Sequence, residues 1–292
     1  MRSAKRHSGE AAFEQWYADL YGERWEALRA ALLGGSRHAA LEKGLLRPYL
    51  LDPASVLAAA ALDVRPGERV LDLCAAPGGK SLVLACALFP GEGDGVEAFE
   101  GSELVCNERS SARRARLHRV LEEHLRPEVR RQVRVTGHDA ARWALHEPSS
   151  YERVLADVPC SSEQHVLNSP RALAEWSTSR PKRLAQGAYA IACAAVDAVR
   201  PGGRVVYATC ALSPYENDAV VGRLLARGDG TLKPVDAALV TAHALDAFRD
   251  LFPGEYPSGS APGVSTEYGR MVLPDRDRGL GPIYLAAIER SV

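Results

Sequence analysis

The sequence predicts an α/β fold with a mostly parallel sheet, an antiparallel edge strand and a small N-terminal helical lobe. Short apolar stretches alternate with helical stretches across residues 69–227, and glycines and prolines separate them. This alternation is typical of parallel sheets that are covered by helices on both faces. The last two apolar stretches have no helix between them, which predicts antiparallel pairing. We expect residues 1–62 to form the lobe and residues 63–292 the main domain.

The lobe is predicted from an aromatic stripe. Over residues 10–33, aromatic and leucine side chains recur at helical spacing, among them Phe13, Tyr17 and Trp25. Such a stripe is more often a packing surface than a ligand site, so we expect one amphipathic helix that docks on the main domain. A second short helix is expected over residues 54–62, just before the first strand.

The main domain is predicted to contain five alternating strands and a final pair. The strands are expected at residues 69–73, 104–107, 133–136, 154–158 and 204–209, and the final pair at 270–273 and 283–288. The helices are expected at residues 79–88, 110–125, 181–199 and 214–227. Residues 161–179 and 228–269 lack clear periodicity, and long loops in a compact domain tend to be functional or mobile.

The composition is that of an ordinary globular protein, with 46% hydrophobic and 25% charged residues among 292. No apolar run approaches the roughly 18 residues of a membrane span, and no secretory core is visible. Six cysteines lie at irregular spacings without a CxxC pair. This pattern argues for reduced thiols in a cytosol-like compartment and against a disulfide framework or a metal site.

The charge of the chain is unevenly distributed. The formal net charge is −1, yet residues 108–134 contain nine arginines against four glutamates. This stretch predicts either a basic face for nucleic acid or an ordinary solvated helix rim, and charge alone does not decide between the two.

Acidic and small residues follow the first three predicted strands, at the edge where parallel sheets bind ligands. The loop from Asp72 to Lys80 is rich in glycine and opens a helix, which suits a carboxylate or a phosphate but matches neither the dinucleotide nor the P-loop motif. Glu108 could accept both hydroxyls of a ribose, and Asp139 an adenine amine, although either could simply favour a helix N-terminus. Together they predict S-adenosylmethionine as the ligand.

Two thiols follow the fourth and fifth strands. Asp157-Val158-Pro159-Cys160 closes one strand and Thr209-Cys210 closes the next, so both thiols should reach the same cleft. A single cysteine at such a place is usually a small buried hydrophobe. Two beside a methyl donor indicate covalent catalysis, in which thiolate attack at carbon 6 of a pyrimidine makes carbon 5 nucleophilic.

These motifs resemble those of the Sun (Fmu-like) family of RNA 5-methylcytosine methyltransferases. The most specific segments are residues 71–81, 157–161 and 209–210, and the resemblance extends from Phe13 to the closing strand. Within the family, residues 133–136, 153–160 and 281–284 are most similar to the branch that contains the mitochondrial ribosomal-RNA enzyme. The resemblance implies a Rossmann-like class I methyltransferase fold and a cytoplasmic or mitochondrial location. It also implies RNA as the substrate, with ribosomal RNA as the first candidate and transfer RNA as the second.

The resemblance also implies a role for each matching residue. Cys210 would be the nucleophile, Cys160 would assist product release, and Asp157 would contact the target base near the methyl donor. The cofactor would be held by the following residues: Ala76, Pro77, Gly78, Gly79, Lys80, Glu108, Arg113, Asp139, Ala140 and Asp157. No appended RNA-binding module is evident, so RNA affinity would come from the lobe, the arginine-rich helix and the long loops, or from a protein partner.

Two departures and three alternatives accompany this interpretation. Ala211 and Ser162 stand where the family usually has serine and glycine, which could alter the fit of the target base. A DNA cytosine methyltransferase would use Cys160 as nucleophile instead. A non-catalytic RNA-binding assembly factor would need neither thiol, and an amine methyltransferase would need a second proline and an aromatic residue after Asp157.

Overall fold

A central sheet organises the described part of the chain, which in this computed structural model comprises residues 8–35, 37–91, 99–252 and 262–291. The strands are β1 Ala39–Leu41, β2 Tyr49–Leu51, β3 Arg69–Asp72, β4 Glu103–Asn107, β5 Val133–Thr136, β6 Tyr151–Asp157, β7 Val199–Thr209, β8 Leu232–Pro234, β9 Val264–Ser265, β10 Arg270–Val272 and β11 Ile283–Arg290. The helices are α1 Glu10–Tyr21, α2 Trp25–Leu33, α3 Ala54–Ala60, α4 Gly79–Leu88, α5 Ser111–His124, α6 Pro127–Arg130, α7 Glu163–Leu167, α8 Pro170–Ala174, α9 Ser179–Ala198, α10 Asp218–Arg227 and α11 Ala237–Leu251.

The strand order confirms the predicted fold class. Strands run in the order β5-β4-β3-β6-β7-β11-β10-β9, and β8 also pairs with β11. The first five are mutually parallel, whereas β11 is antiparallel to both β7 and β10. The predicted antiparallel pair therefore exists, but β11 lies inside the sheet and β10 and β9 extend beyond it.

Successive residues of the central strands pack alternately in two separate hydrophobic cores, one on each face of the sheet. In β3, Val70 packs in the core with α3, α4 and α11, and Leu71 packs in the core with α1, α2 and α9. This alternation follows from the two-residue period of a strand, and the apolar residues on both faces suit a parallel sheet that helices cover twice.

The N-terminal segment contributes to both cores. Residues 12–32 of α1 and α2 pack in one core, whereas residues 41–62, from β1 to just beyond α3, pack in the other. The aromatic stripe is buried as expected, with Phe13 and Tyr17 fully covered. The division into a lobe and a main domain at residue 62 stays a prediction.

Several predicted boundaries differ from the structure. The helix expected over residues 10–33 is interrupted at Gly22, whose φ of 58° is one that glycine adopts at no steric cost. The β1–β2 hairpin and α11 were not predicted, and the stretch expected to be a loop at 161–179 contains α7 and α8. Pro181 is the third residue of α9 rather than the first. The breaker-rich run 253–259 lies outside the described residues.

Candidate active site

The two predicted thiols meet because of the register between β6 and β7. Asp157 pairs with Ala208 in the parallel ladder, so Cys160 and Cys210 leave the sheet side by side. Their Sγ atoms lie 3.0 Å apart, and the Ser162 hydroxyl lies 3.3 Å from the Cys210 Sγ. Both thiols are half-buried at the carboxyl edge of the sheet. The arrangement brings two sulfur atoms and a hydroxyl to one point.

The pKa values of the two thiols are shifted in opposite directions by their surroundings. The pKa of Cys210 is lowered from its ordinary value, because its contacts with the Cys160 thiol and the Ser162 hydroxyl outweigh burial. The pKa of Cys160 is raised, since its proton is held in that same contact and its thiol is buried. Of the two thiols, Cys210 is therefore the one with the lowered pKa, and the thiolate is the reactive form of a cysteine. The sequence had not indicated how this pKa is lowered.

A charged pair borders the thiols on the side of β3. Lys80, on α4, places its Nζ 2.8 Å from Oδ2 of Asp157 and 3.4 Å from the Ser55 hydroxyl. Burial alone would lower the pKa of Lys80, but the Asp157 carboxylate raises it above its ordinary value. Asp157 is therefore held by a permanent cation at the end of β6, next to the loop that carries Cys160.

A central cleft of about 260 Å³ opens at this ion pair. Its floor is the loop between β3 and α4, including Ala76, Pro77, Gly79 and Lys80, and its wall includes Asp157. Gly78 is the residue before α4 with φ of 122°, and a side chain there would lie 3.0 Å from Cγ1 of Val120. Since Gly78 offers no side-chain cap, the N–H groups of the first turn of α4 are left for a ligand.

Asp72 supplies the least satisfied acceptor in this cleft. Its Oδ2 accepts a 2.7 Å hydrogen bond from Ser81, but its buried Oδ1 has no hydrogen-bond partner among the described residues. Burial raises the pKa of Asp72 to about 7. A buried acceptor without a donor is costly, so the cleft is prepared for a cationic or donating group at this position.

The acid after β4 is tied to the floor of the cleft. The Arg113 Nη1 lies 3.2 Å from Oε2 of Glu108, and its Nη2 donates a 2.7 Å hydrogen bond to the Ala76 carbonyl. The other Glu108 oxygen accepts from the Ser110 N–H at 2.7 Å. Each carboxylate oxygen has a further lone pair, so Glu108 can still accept from a ligand. The structure thus brings Glu108, Arg113 and Ala76 together.

Asp139, the acid after β5, lies outside the lining of the central cleft. Asp139 accepts from the Ala141 N–H at 3.2 Å and lies 3.3 Å from Arg109 Nη1, and it is followed by a 3-10 helix over Ala140–Leu145. Its side chain is 39% exposed, whereas Ala140 is buried. Neither residue lines the central cleft; both mark the next strand end along the same edge.

Sequence reasoning missed the residues that cover the cleft from the β1–β2 hairpin side. Tyr49 and Asp52 line the cleft together with His38. A side chain on Gly79 would lie 3.1 Å from Cε1 of Tyr49, so Gly79 permits this close packing. Three-residue strands such as β1 and β2 are too short for a clear two-residue period, so the sequence offered little signal.

Asn107 was also missed, although it links three strand ends. Its amide donates to the carbonyls of Leu73 and His138, and its oxygen accepts from the Thr136 hydroxyl and the His138 N–H. The sequence did contain a signal for Asn107: it is an amide at the end of a buried strand, one residue before the predicted site acid Glu108.

Other features of the described residues lie apart from this site. A larger cavity of about 1250 Å³ behind the hairpin is lined by parts of α3, α4 and α11 and contains no predicted site residue. Among the described ranges, no cluster of three or more His, Cys, Asp or Glu side chains could hold a metal ion. In the same ranges, no helix has both the length and the apolar character that crossing a bilayer requires.

Comparison with known proteins identifies the family. Residues 59–258 match the 16S rRNA methyltransferase RsmB/F family. The chain belongs to this family. Its membership confirms the resemblance to the Sun family.

Curated relatives support the predicted branch. The chain is 35% identical over 255 residues to the 5-cytosine rRNA methyltransferase NSUN4 of Xenopus laevis, covering 85% of this chain and 57% of the relative. It is 34% identical over 243 residues to the mitochondrial tRNA (cytosine(34)-C(5))-methyltransferase of Danio rerio, covering 83% of this chain and 60% of the relative. The chain thus spans less than two thirds of the length of these relatives.

Solved structures agree with the fold. The crystal structure of PH0851 has a TM-score of 0.69 at 18% identity and covers 97% of this chain and 66% of its own. The NSun6 structure from Pyrococcus horikoshii with SFG has a TM-score of 0.61 at 20% identity and covers 86% of this chain and 54% of its own. At these identities the likeness concerns the fold alone.

The residues of the RsmB/F-family site fit the family cofactor. The unpartnered Asp72 Oδ1 suits an ammonium group, and the free N–H groups of α4 suit a carboxylate, so the cleft matches the methionine part of S-adenosylmethionine. Glu108 lies beside the floor of the cleft and suits ribose hydroxyls. Asp139 and Ala140 continue the same edge toward the position expected for adenine.

Proposed function

We propose that this chain is an RNA (cytosine-5)-methyltransferase with Cys210 as covalent nucleophile, Cys160 as the residue that assists product release, and Asp157 as a contact to the target base. The observation that carries the proposal is the 3.0 Å contact between the two sulfur atoms, at neighbouring strand ends beside the central cleft.

The proposed chemistry divides the work between the thiols. The Cys210 thiolate adds to carbon 6 of the cytosine, which makes carbon 5 nucleophilic. S-adenosylmethionine supplies the methyl group when bound. Asp157, held by Lys80 at 2.8 Å, is placed to contact the base edge. Cys160, whose Sγ lies 3.0 Å from the Cys210 Sγ, is placed to assist release of the methylated base from Cys210.

The cofactor residues are proposed on the same basis. Ala76, Pro77, Gly78, Gly79 and Lys80 would hold the methionine part at the start of α4. The remaining contacts would come from the strand-end residues Glu108, Arg113, Asp139, Ala140 and Asp157. The departures at Ala211 and Ser162 remove no reacting atom, and Ser162 in fact contacts the Cys210 sulfur.

The substrate is proposed to be ribosomal RNA. The relative from Xenopus laevis is named for rRNA and that from Danio rerio for tRNA, so transfer RNA is the second candidate. A cytoplasmic or mitochondrial location accords with these relatives, one of which is named as mitochondrial. A protein partner that supplies RNA affinity is part of the proposal.

Variants at the two thiols test the proposal. Cys210→Ala should abolish methylation and form no covalent complex with RNA, because the attacking atom is gone. Cys160→Ala should still attack and transfer the methyl group but leave the product tethered to Cys210. It should therefore accumulate a protein–RNA adduct that survives denaturing electrophoresis, since the step that breaks the intermediate is slowed more than the step that forms it.

The control and the opposing outcomes are clear. Cys193→Ala removes a thiol on α9, away from the site, and should methylate like the unmodified protein. An adduct in Cys210→Ala and none in Cys160→Ala would indicate a DNA-type mechanism with Cys160 as nucleophile. Absence of both methylation and adduct with every cytosine-containing RNA would indicate a non-catalytic RNA-binding factor.

A further inference from the structure

Two fully buried carboxyl groups lie behind the thiols, and the proposed reaction does not use either of them. Glu163 is the first residue of α7, three residues after Cys160, and Glu216 lies in the turn after Cys210. Both side chains belong to residues with 0% exposure. Buried glutamates are rare unless each is paired or hydrogen-bonded, so their partners need to be accounted for.

The Ser161 hydroxyl connects the two carboxyl groups. Ser161 Oγ lies 2.5 Å from Oε1 of Glu216 and is also hydrogen-bonded to Oε1 of Glu163. The Ser161 N–H donates to the second Glu216 oxygen at 2.8 Å. Glu163 receives two further donors, the Tyr17 hydroxyl on Oε1 and the Leu212 N–H on Oε2 at 3.0 Å.

Counting hydrogens shows that the pair must hold an extra proton. A serine hydroxyl has a single hydrogen and can donate it to only one carboxylate. The second contact of Ser161 Oγ needs a proton on the other carboxyl group. Glu163 accepts from three donors and is the better anion, so Glu216 is the group that carries the proton and donates it to Ser161. The arrangement therefore bears one negative charge rather than two.

We propose that Glu163 and Glu216 share one proton through the Ser161 hydroxyl and act as a positioning pair that fixes the loops of Cys160 and Cys210 relative to each other. The inference rests on the proposed function, because it assigns these residues to the same reaction. Ser161 adjoins Cys160, and Leu212 lies two residues after Cys210. The pair therefore links both thiol loops, and Tyr17 extends the link to α1.

Loss of the shared proton should weaken this link. Two buried carboxylates in contact with one hydroxyl would repel each other, and one contact would have no hydrogen. Burial, followed by the negative charge of Glu163, raises the pKa of Glu216 to about 7. The groups that face the pair from neighbouring elements are Tyr17 and Tyr21 of the α1 segment, Arg180 of α9, Tyr207 of β7, and the two thiols.

Glutamine variants distinguish the two members of the pair. The amide of Glu216→Gln can donate to Ser161 Oγ and accept from the Ser161 N–H, as the protonated acid does. We therefore expect kcat within about twofold of the unmodified protein below pH 7. In Glu163→Gln, an amide NH2 group would replace one carboxylate oxygen and would face the O–H and N–H donors that now bind Glu163. We therefore expect kcat to fall at least tenfold, while the affinity for S-adenosylmethionine stays within about twofold.

The pH profile provides a readout that a merely structural role would not change. As the pH rises through about 7, Glu216 ionises and kcat of the unmodified protein should fall. The Glu216→Gln enzyme cannot lose a proton there and should lack this alkaline limb. Glu175→Gln, at an exposed position after α8, is the matched control and should keep the unmodified profile.

A second measurement does not depend on the reaction. An acid whose pKa is raised on folding favours the folded state most below its ordinary pKa, and this advantage is lost as the pH rises through the folded value. The Tm of the unmodified protein should therefore fall relative to that of Glu216→Gln between pH 5 and pH 8. If no cytosine in any RNA is methylated, the proposed function fails, whereas this Tm comparison still decides the proton sharing.

Four results would overturn the inference. Parallel Tm curves for Glu216→Gln and the unmodified protein would show that Glu216 holds no extra proton. An unchanged alkaline limb in Glu216→Gln, or equal loss of kcat in both glutamine variants, would show ordinary structural packing. Failure of Glu216→Gln to fold would contradict it as well, because the amide is expected to replace the protonated acid.

Discussion

At the scale of single residues, Glu108 offers a direct test of the cofactor site. Glu108→Gln should weaken S-adenosylmethionine binding, because the acceptor proposed for two ribose hydroxyls, which also pairs with Arg113, loses its charge. Losing hydrogen bonds to a charged group costs about 1.5–3 kcal/mol, or roughly ten- to hundredfold in Kd. Calorimetric titration measures this loss, and wild-type affinity in the variant would remove Glu108 from the site.

Asp139→Asn is the comparison for that experiment. An asparagine oxygen can still accept from an adenine amine, so we expect a smaller loss of affinity than in Glu108→Gln. Asp139 is also more exposed, and water screens whatever it contributes. A loss in Asp139→Asn as large as that in Glu108→Gln would show that its charge, and not only its acceptor oxygen, is used.

The sequence revealed site residues where they end strands, and it missed those whose role depends on burial. Cys160 and Cys210 could be paired from sequence because parallel strands end at one edge, and their 3.0 Å contact agrees. Glu163 and Glu216 carried no comparable signal, since a glutamate in an aperiodic stretch, or at the start of a predicted helix, usually points to solvent. The lowering of the Cys210 pKa depends on contacts with the Cys160 thiol and the Ser162 hydroxyl, which only the folded structure brings together.

At the scale of elements, α5 tests the two interpretations of the arginine-rich stretch. Two arginines of this stretch beyond α5 have local partners. Arg130, in α6, pairs with Glu122, and Arg134, in β5, pairs with Glu103 and Glu147. Arg116 and Arg119 are exposed, and neither makes an ion pair with a described acid. Arg116 also lines the central cleft. Within α5, Arg113 pairs with Glu108 and Arg114 donates to backbone carbonyls. Arg116 and Arg119 are therefore the arginines of this helix most available for RNA phosphates.

Charge reversal at these two positions should weaken RNA binding. Arg116→Glu and Arg119→Glu should each lower the affinity for RNA. Each should also reduce the slope of log K against log salt by about 0.7–0.9, because fewer counterions are released from the RNA when a phosphate contact is lost. Filter binding over a salt series measures both quantities. Arg200→Glu, at the amino end of β7 and so away from the carboxyl ends of the strands, changes the net charge equally and should have little effect. Unchanged binding in all variants would indicate a solvated helix rim.

The elements themselves were predictable where glycine or proline borders an apolar run. The bounds predicted for α4 and β5 agree with the structure to the residue: Gly78 precedes α4 and Pro90 follows it, and Gly137 follows β5. The break at Gly22 was missed since the aromatic stripe continues on either side of it. The β1–β2 hairpin is fixed by long-range contacts, such as Leu46 N–H to the His124 carbonyl, that no local pattern encodes.

At the scale of the whole molecule, buried acids should make stability depend on pH. Asp72 has a folded pKa of about 7 because of burial, against an ordinary value of 3.8. The stability contributed by its protonated form is therefore complete below about pH 4 and is lost as the pH rises through about 7. At 1.36 kcal/mol for each pKa unit, the loss is about 4 kcal/mol, a large share of the 5–15 kcal/mol typical of a folded domain.

Cofactor binding should oppose this loss, because an ammonium group beside the unpartnered Oδ1 would favour ionised Asp72. We therefore expect the rise in Tm on adding S-adenosylmethionine to grow between pH 5.5 and pH 7.5. In Asp72→Asn, which cannot ionise, the rise should be smaller and independent of pH over that range. Differential scanning fluorimetry at fixed ligand concentration measures both, since a ligand that binds only the folded state stabilises it. A rise that grows with pH equally in both proteins would place the ammonium group elsewhere.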